Sequence, residues 1–99
     1  MTAIAIPLEV MRLAVELTEL LGAVAADGLA AAVSDAGSGV FCAIAAAEAA
    51  HLNVKINAKE LGGPRREAAL ANADRLSAAL RQAADRIFET VRARLDDAG

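Results

Sequence analysis

Apolar residues recur along this chain at helical spacing. Leu8, Met11, Val15 and Thr18 fall three or four positions apart, as do Val10, Leu13, Leu17, Leu21 and Val24. Glu9, Arg12, Glu16 and Glu19 form a narrow polar stripe between them. This periodicity places each set on one face of a helix. An apolar surface so broad needs more than one packing neighbour. Pro7 suits a first turn, and Gly28 suits a C-terminal cap, so a first helix is predicted between them.

Leu29 to Val33 is expected to be a short connection or a single turn. Ser34 or Asp35 then offers a side-chain oxygen to the orphan amides of a second helix start. At about 100° per residue, Glu48, His51, Lys55 and Lys59 share one face of that helix, with Phe41 and Ile44 earlier on the same face. The front half is thus apolar all round, and only the rear half is expected to be wet. Asn53 and Asn57 turn away from Lys55, toward the side expected to be buried.

Gly62-Gly63-Pro64 closes this segment and opens a third helix, predicted to run to about Leu95. Leu76, Leu80, Ile87 and Val91, with Ala73 and Ala84, mark its core row. Asp74, Arg81, Asp85, Arg92 and Asp96 mark its outer row. If continuous, that helix is ~50 Å long. The fold class expected is all-α, an antiparallel bundle of about three helices forming one domain over residues 1–99. A central helix apolar on every side lacks enough walls within one chain, so a homodimer is predicted to complete the bundle.

Composition supports a helical domain. Hydrophobic residues make up 57% of the chain but aromatics only 2%, so alanine, the best helix former, supplies much of the apolar surface. The net charge of −3 argues against a nucleic-acid partner, which would need a basic excess to neutralise phosphates. Residues 1–63 carry three bases and seven acids, whereas residues 64–99 carry seven arginines and six acids in alternation. That alternation fits a solvated face with local ion pairs.

The single Cys42 lies in an apolar run and reads as a small buried side chain. Glu9 and Arg12 interrupt the apolar start before a signal-peptide core forms. No run of ~20 apolar residues is free of charge, so no membrane segment is expected, and the location expected is cytoplasmic. One His and one Cys on unrelated faces make no zinc set. Gly37-Ser38-Gly39 lacks the spacing and lysine of a phosphate loop, and reads as a place of close helix approach.

The stretch VSDAG, then an alanine-rich helix, then LNVKIN resembles the cyclodeaminase/cyclohydrolase family. That family includes the C-terminal domain of formiminotransferase-cyclodeaminase and the methenyltetrahydrofolate cyclohydrolases. Gly28, Ser34, Asp35, Ala36, Gly37, Asn53, Val54, Ile56 and Asn57 match its two motifs, with Lys55 in an arginine place. IPLEV and the long charged last helix also fit the family's layout. Leu29 and Ala31 depart from it, standing where the family usually has asparagines. Members are about twice as long, and this chain resembles their C-terminal half, so a separately encoded partner carrying the other half is one expectation.

The resemblance implies a tetrahydrofolate derivative as substrate, with no covalently bound cofactor, and a cationic one-carbon centre between two nitrogens. By the same resemblance Asp35 is the candidate catalytic residue, moving a proton or holding the pterin. Ser34, Asn53, Lys55 and Asn57 are the candidate substrate-binding residues. Asn53 and Asn57 would supply amide dipoles, and Lys55 would attract the glutamate tail. Each has an ordinary structural use as well: helix capping for Ser34 and Asp35, bonding to a neighbouring helix's carbonyls for the asparagines, and solvated charge for Lys55. A non-catalytic helical dimerisation module is the alternative these uses leave open.

Overall fold

The computed structural model describes residues 3–98 and contains three helices: α1 (Ala5–Asp27), α2 (Ala30–Ala58) and α3 (Gly63–Ala98). No strand occurs among the described residues. Each helix packs on both others. α1 and α3 run side by side in one direction, and α2 packs antiparallel against both. Leu21 lies against Gly39, and Leu13 shares a groove with Ala46. Val15 of α1 therefore stands level with Ala45 of α2. α3 is continuous for 36 residues, and the molecule is 54 Å long, so this one helix sets its length.

The predicted core row of α3 holds throughout: Ala73, Leu76, Leu80, Ala84, Ile87 and Val91 are all buried. On α2 the buried stripe includes Val33, Val40, Ala47 and Val54, one every seventh residue. Met11, Ala14, Thr18 and Ala25 complete the core from α1. Small residues dominate the middle layer, where Ala14, Ala43 and Ala47 surround Leu80. Thr18 is fully buried, and its hydroxyl donates to the Ala14 carbonyl at 2.8 Å, which spares it a desolvation penalty.

The helix ends differ from expectation in one place. α2 begins at Ala30, with Leu29 as an N-cap that contributes no side-chain bond. Ala30-Ala31-Ala32 are strong helix formers and carry the helix ahead of the Ser-Asp pair. Ser34 and Asp35 therefore lie beyond the first turn and cap nothing. The far ends of α1 and α2 are closed by arginines from α3. Arg94 donates to the Ala25 carbonyl at 3.0 Å, and Arg66 donates to the carbonyls of Ala58 and Lys59 at 3.1 and 2.7 Å. These bonds satisfy carbonyls that a helix terminus leaves without partners.

Gly28 is the C-cap of α1, as the sequence suggests, but with φ −75° it is not in the left-handed region. Its requirement is space. A Cβ there would sit 2.6 Å from the Val24 carbonyl oxygen, which also accepts the Gly28 N–H at 2.7 Å. Gly28→Ala is expected to cost about 1–3 kcal/mol, because backbone must move to relieve the contact. Chemical denaturation checks this; an unchanged midpoint would show that the turn yields freely.

The polar stripe of α1 is ion-paired along its own helix. Arg12 bridges Glu9 and Glu16 and, chiefly through its hydrogen bond, holds the Glu9 carboxyl below its ordinary range. That small contribution is present above the ordinary glutamate pKa and fades as pH falls through the lowered value. Both partners are solvent-exposed, so salt screens it.

α2 is long and apolar enough to cross a membrane by length and composition, and 33% of its most apolar 18-residue window is buried in the bundle. Glu48, near the middle of the helix, engages α3: its carboxylate accepts from the Ser77 hydroxyl at 3.3 Å and lies 3.2 Å from Arg81.

Candidate functional site

The five candidate residues occupy two ends of one helix. Ser34 and Asp35 lie near the start of α2, and Asn53, Lys55 and Asn57 near its finish. Asp35 and Asn53 are eighteen positions apart, ~27 Å at about 1.5 Å per residue. Nothing within one chain brings them together.

Asp35 is exposed and does not line the groove that its neighbours Ser34, Gly37 and Ser38 border. Ser34, also exposed, lines a groove of about 250 Å³ between α2 and α3, with Ser38, Phe41, Phe88, Arg92 and others. Lys55 is exposed. Asn53 is exposed and Asn57 half-buried, which corrects the expectation that both face inward. The reason is the Val33–Val40–Ala47–Val54 stripe, whose larger side chains turn α2 so that the asparagines lie on its flank toward α1. They also bond to each other rather than to a neighbouring helix. The Asn57 amide donates to the Asn53 backbone carbonyl at 2.9 Å and to its side-chain oxygen at 2.8 Å. Asn53 lines an apolar groove of about 340 Å³ with Ile6, Val10, Ala46 and Ala49.

Two further expectations need correction. The face holding Glu48 and His51 is turned to α3: His51 Nε2 lies 2.9 Å from Asp74 Oδ1, and Glu48 meets Ser77 and Arg81. Polar groups on α3 stand opposite, so Glu48 and His51 border a partly exposed inter-helix seam, while Lys55 and Lys59 further along the row are exposed as expected. Cys42 is exposed, because the small residues around it lie on the side of α2 that neither partner helix covers.

Sequence reasoning missed the groove around Ser34. Phe41 and Phe88 stack with ring centroids 4.4 Å apart, and the Arg92 guanidinium sits 5.9 Å above the Phe88 ring. Flat apolar faces, two serine hydroxyls and a cation there could receive a planar ring bearing a carboxylate. The one available signal was that both phenylalanines fall toward the same end of an antiparallel pair. Among the described residues, no group of three His, Cys, Asp or Glu side chains comes together as a metal site.

No curated protein and no solved structure matches the chain. A family does: residues 1–76 of the 99 match formiminotransferase-cyclodeaminase, and that span includes both the Ser34–Gly37 and the Asn53–Asn57 motifs. The chain therefore belongs to the formiminotransferase-cyclodeaminase C-terminal domain family, which is linked to folate one-carbon metabolism.

Proposed function

We propose that this protein acts on a formimino- or methenyl-tetrahydrofolate in the cytoplasm, as a cyclodeaminase or cyclohydrolase. In the first reaction the N10 lone pair attacks the formimino carbon and ammonia leaves, closing the methenyl bridge. In the second, water adds to that bridge and one carbon–nitrogen bond opens to a formyl group. Both pass through a tetrahedral carbon between two nitrogens and need a proton moved. Asp35 is assigned that transfer. Ser34, Asn53 and Asn57 orient the ligand by hydrogen bonding, and Lys55 holds the glutamate carboxylates. The observation that carries this reading is the family match across both motifs.

One observation favours a second reading, a non-catalytic helical module that assembles with other chains. Asp35 is solvent-exposed, and ~27 Å of helix separates it from Asn53.

A folate titration separates the two. A ligand binding only the native state at a hundredfold above its dissociation constant stabilises by about 2.7 kcal/mol. For a chain of this size that raises the melting temperature by about 10 °C or more. With 5-formyl-tetrahydrofolate as a non-reacting probe, the enzymatic reading expects that shift. It also expects methenyl-tetrahydrofolate absorbance to decay faster with protein than without. An unmoved melt and no decay would leave the assembly module.

A further inference from the structure

We propose that the groove between α2 and α3 at the Ser34 end binds a small aryl carboxylate, a single aromatic ring carrying a carboxyl group. This site goes beyond the folate reading and does not rest on it. Ser34 is the one candidate residue that the groove includes. Phe88, Val91, Arg92 and Leu95, which form its α3 wall, lie beyond residues 1–76, the span of the family match.

The first observation is the placing of the aromatics. Phe41 and Phe88 are the only aromatic residues in the sequence. Aromatic side chains gain most from burial, yet the core is built from alanine, valine and other non-aromatic side chains, and Phe88 only borders it. Phe41 is 62% exposed and rests on Phe88, with ring centroids 4.4 Å apart. A lone exposed phenylalanine is ordinary. Two stacked ones walling a groove make a platform on which a further flat ring packs.

The second is charge. Arg92 is the one charged residue that lines the groove, and its guanidinium lies 5.9 Å over the Phe88 ring, which holds it there. The ion pairs among the described residues use Arg12, His51 and Arg81, so the Arg92 donors are available to a ligand. A guanidinium is a planar fork of N–H groups that meets a carboxylate with two parallel bonds. Asp35, Glu89 and Asp96 are near in sequence to the lining residues, but none of them lines the groove. A cationic ligand would therefore meet Arg92, and an apolar peptide would cover it without a partner, which is costly.

The third is size. Gly37 and Val91 are buried and form the floor, while Ser34 and Ser38 stand exposed on the α2 wall. The groove holds about 250 Å³, below the ~300–1,000 Å³ of sites for drug-sized ligands. That suits a single ring with its substituents and is small for a fused bicycle with a tail. Serine hydroxyls both donate and accept, so they suit a ring that also carries a hydroxyl or amino group.

An NMR titration of the whole chain with 4-hydroxybenzoate tests the site. The backbone amides of Ser34, Ser38, Phe88 and Arg92 are expected to shift together, with a dissociation constant of about 1 mM or tighter, within reach of a ligand this small. Two comparison ligands separate the forces. 4-Hydroxybenzamide keeps the ring without the charge, and cyclohexanecarboxylate keeps the charge without the flat face; each is expected to bind about tenfold more weakly. Arg92→Gln is expected to weaken 4-hydroxybenzoate by about tenfold and to leave 4-hydroxybenzamide unchanged. Phe41→Leu is expected to weaken both. Both positions are exposed, and the amide shifts of the unmodified chain locate the ligand even should a variant fold poorly. The proposal is overturned if about 10 mM 4-hydroxybenzoate moves none of these amides, if the benzamide binds equally well, or if Arg92→Gln binds the acid as tightly as the unmodified chain. It is also overturned if Phe41→Leu converts a two-chain species to one in sedimentation, since the aromatic pair then serves a contact between copies. 5-Formyl-tetrahydrofolate is expected to leave the Phe88 and Arg92 amides unmoved whether or not it binds elsewhere. Shifts there would make the groove part of the folate site and remove the separate one.

Discussion

Leu80→Ala is expected to lower the unfolding free energy by about 4 kcal/mol, within the 2–5 kcal/mol range of such core truncations. The high end follows from the surroundings. Leu80 is 1% exposed, and the buried residues packed around it are Ala14, Ala43 and Ala47. Alanine has no rotamer with which to fill a vacancy, so beyond what the half-buried Val15 and Ile44 can reach, the space closes only by moving whole helices together. Helices held at both ends by larger side chains, Met11 and Val54 on one side and Val33 and Val40 on the other, resist that motion. Domains of this kind are stable by only about 5–15 kcal/mol, so the variant would lose a large share of its total. Urea unfolding checks it: the midpoint falls while the slope holds. Ile44→Ala, at a half-buried position of the same layer, should cost less. A loss under about 1.5 kcal/mol for Leu80→Ala would mean the alanine layer collapses freely.

The helices and most of their core were legible in the sequence, because spacing alone decides which α3 residues share a face. Ala73, Leu76, Leu80, Ala84, Ile87 and Val91 stand out against charged neighbours, and all are buried. α2 was harder. Its front half is alanine, glycine, serine and valine, so no contrast in polarity marks the inward side. Rotation about its axis was set instead by side-chain volume, through Val33, Val40 and Val54, a weaker signal than charge. The misplacement of Asn53 and Asn57, and of the Glu48–His51 row, followed from that one ambiguity. The start of α2 was missed for a related reason. A cap such as Ser-Asp is worth ~1 kcal/mol, and three preceding alanines compete with it.

The candidate site was legible as residues but not as a place. The resemblance to the family's two motifs singled out Ser34, Asp35, Asn53, Lys55 and Asn57 as candidates, and the family match spans all five positions. Where they meet depends on what lies outside α2, and a straight helix fixes only their separation. The aromatic pair Phe41–Phe88 was invisible because its members lie on different helices.

If the homodimer expected from the sequence shares the site between copies, defects in different copies should complement. In the proposed reaction Asp35→Asn keeps the shape of the side chain and removes its basicity, so turnover of methenyl-tetrahydrofolate should fall by about 10²–10⁴-fold, the usual contribution of a positioned acid or base. Asn53→Ala with Asn57→Ala should also lower turnover, by removing the dipoles that steady the charged carbon. Neither change touches the core, since all three side chains lie at or near the surface. Mixing the two inactive proteins after dissociation lets mixed dimers form. In a two-fold dimer each mixed pair holds one site with both defects and one with neither, so random pairing restores about a quarter of the wild-type activity. A site contained within one chain would carry a defect in every copy, and the mixture would stay as inactive as its parts. Recovery near a quarter, rising with the fraction of mixed dimers measured by mass, is the outcome that a shared site requires.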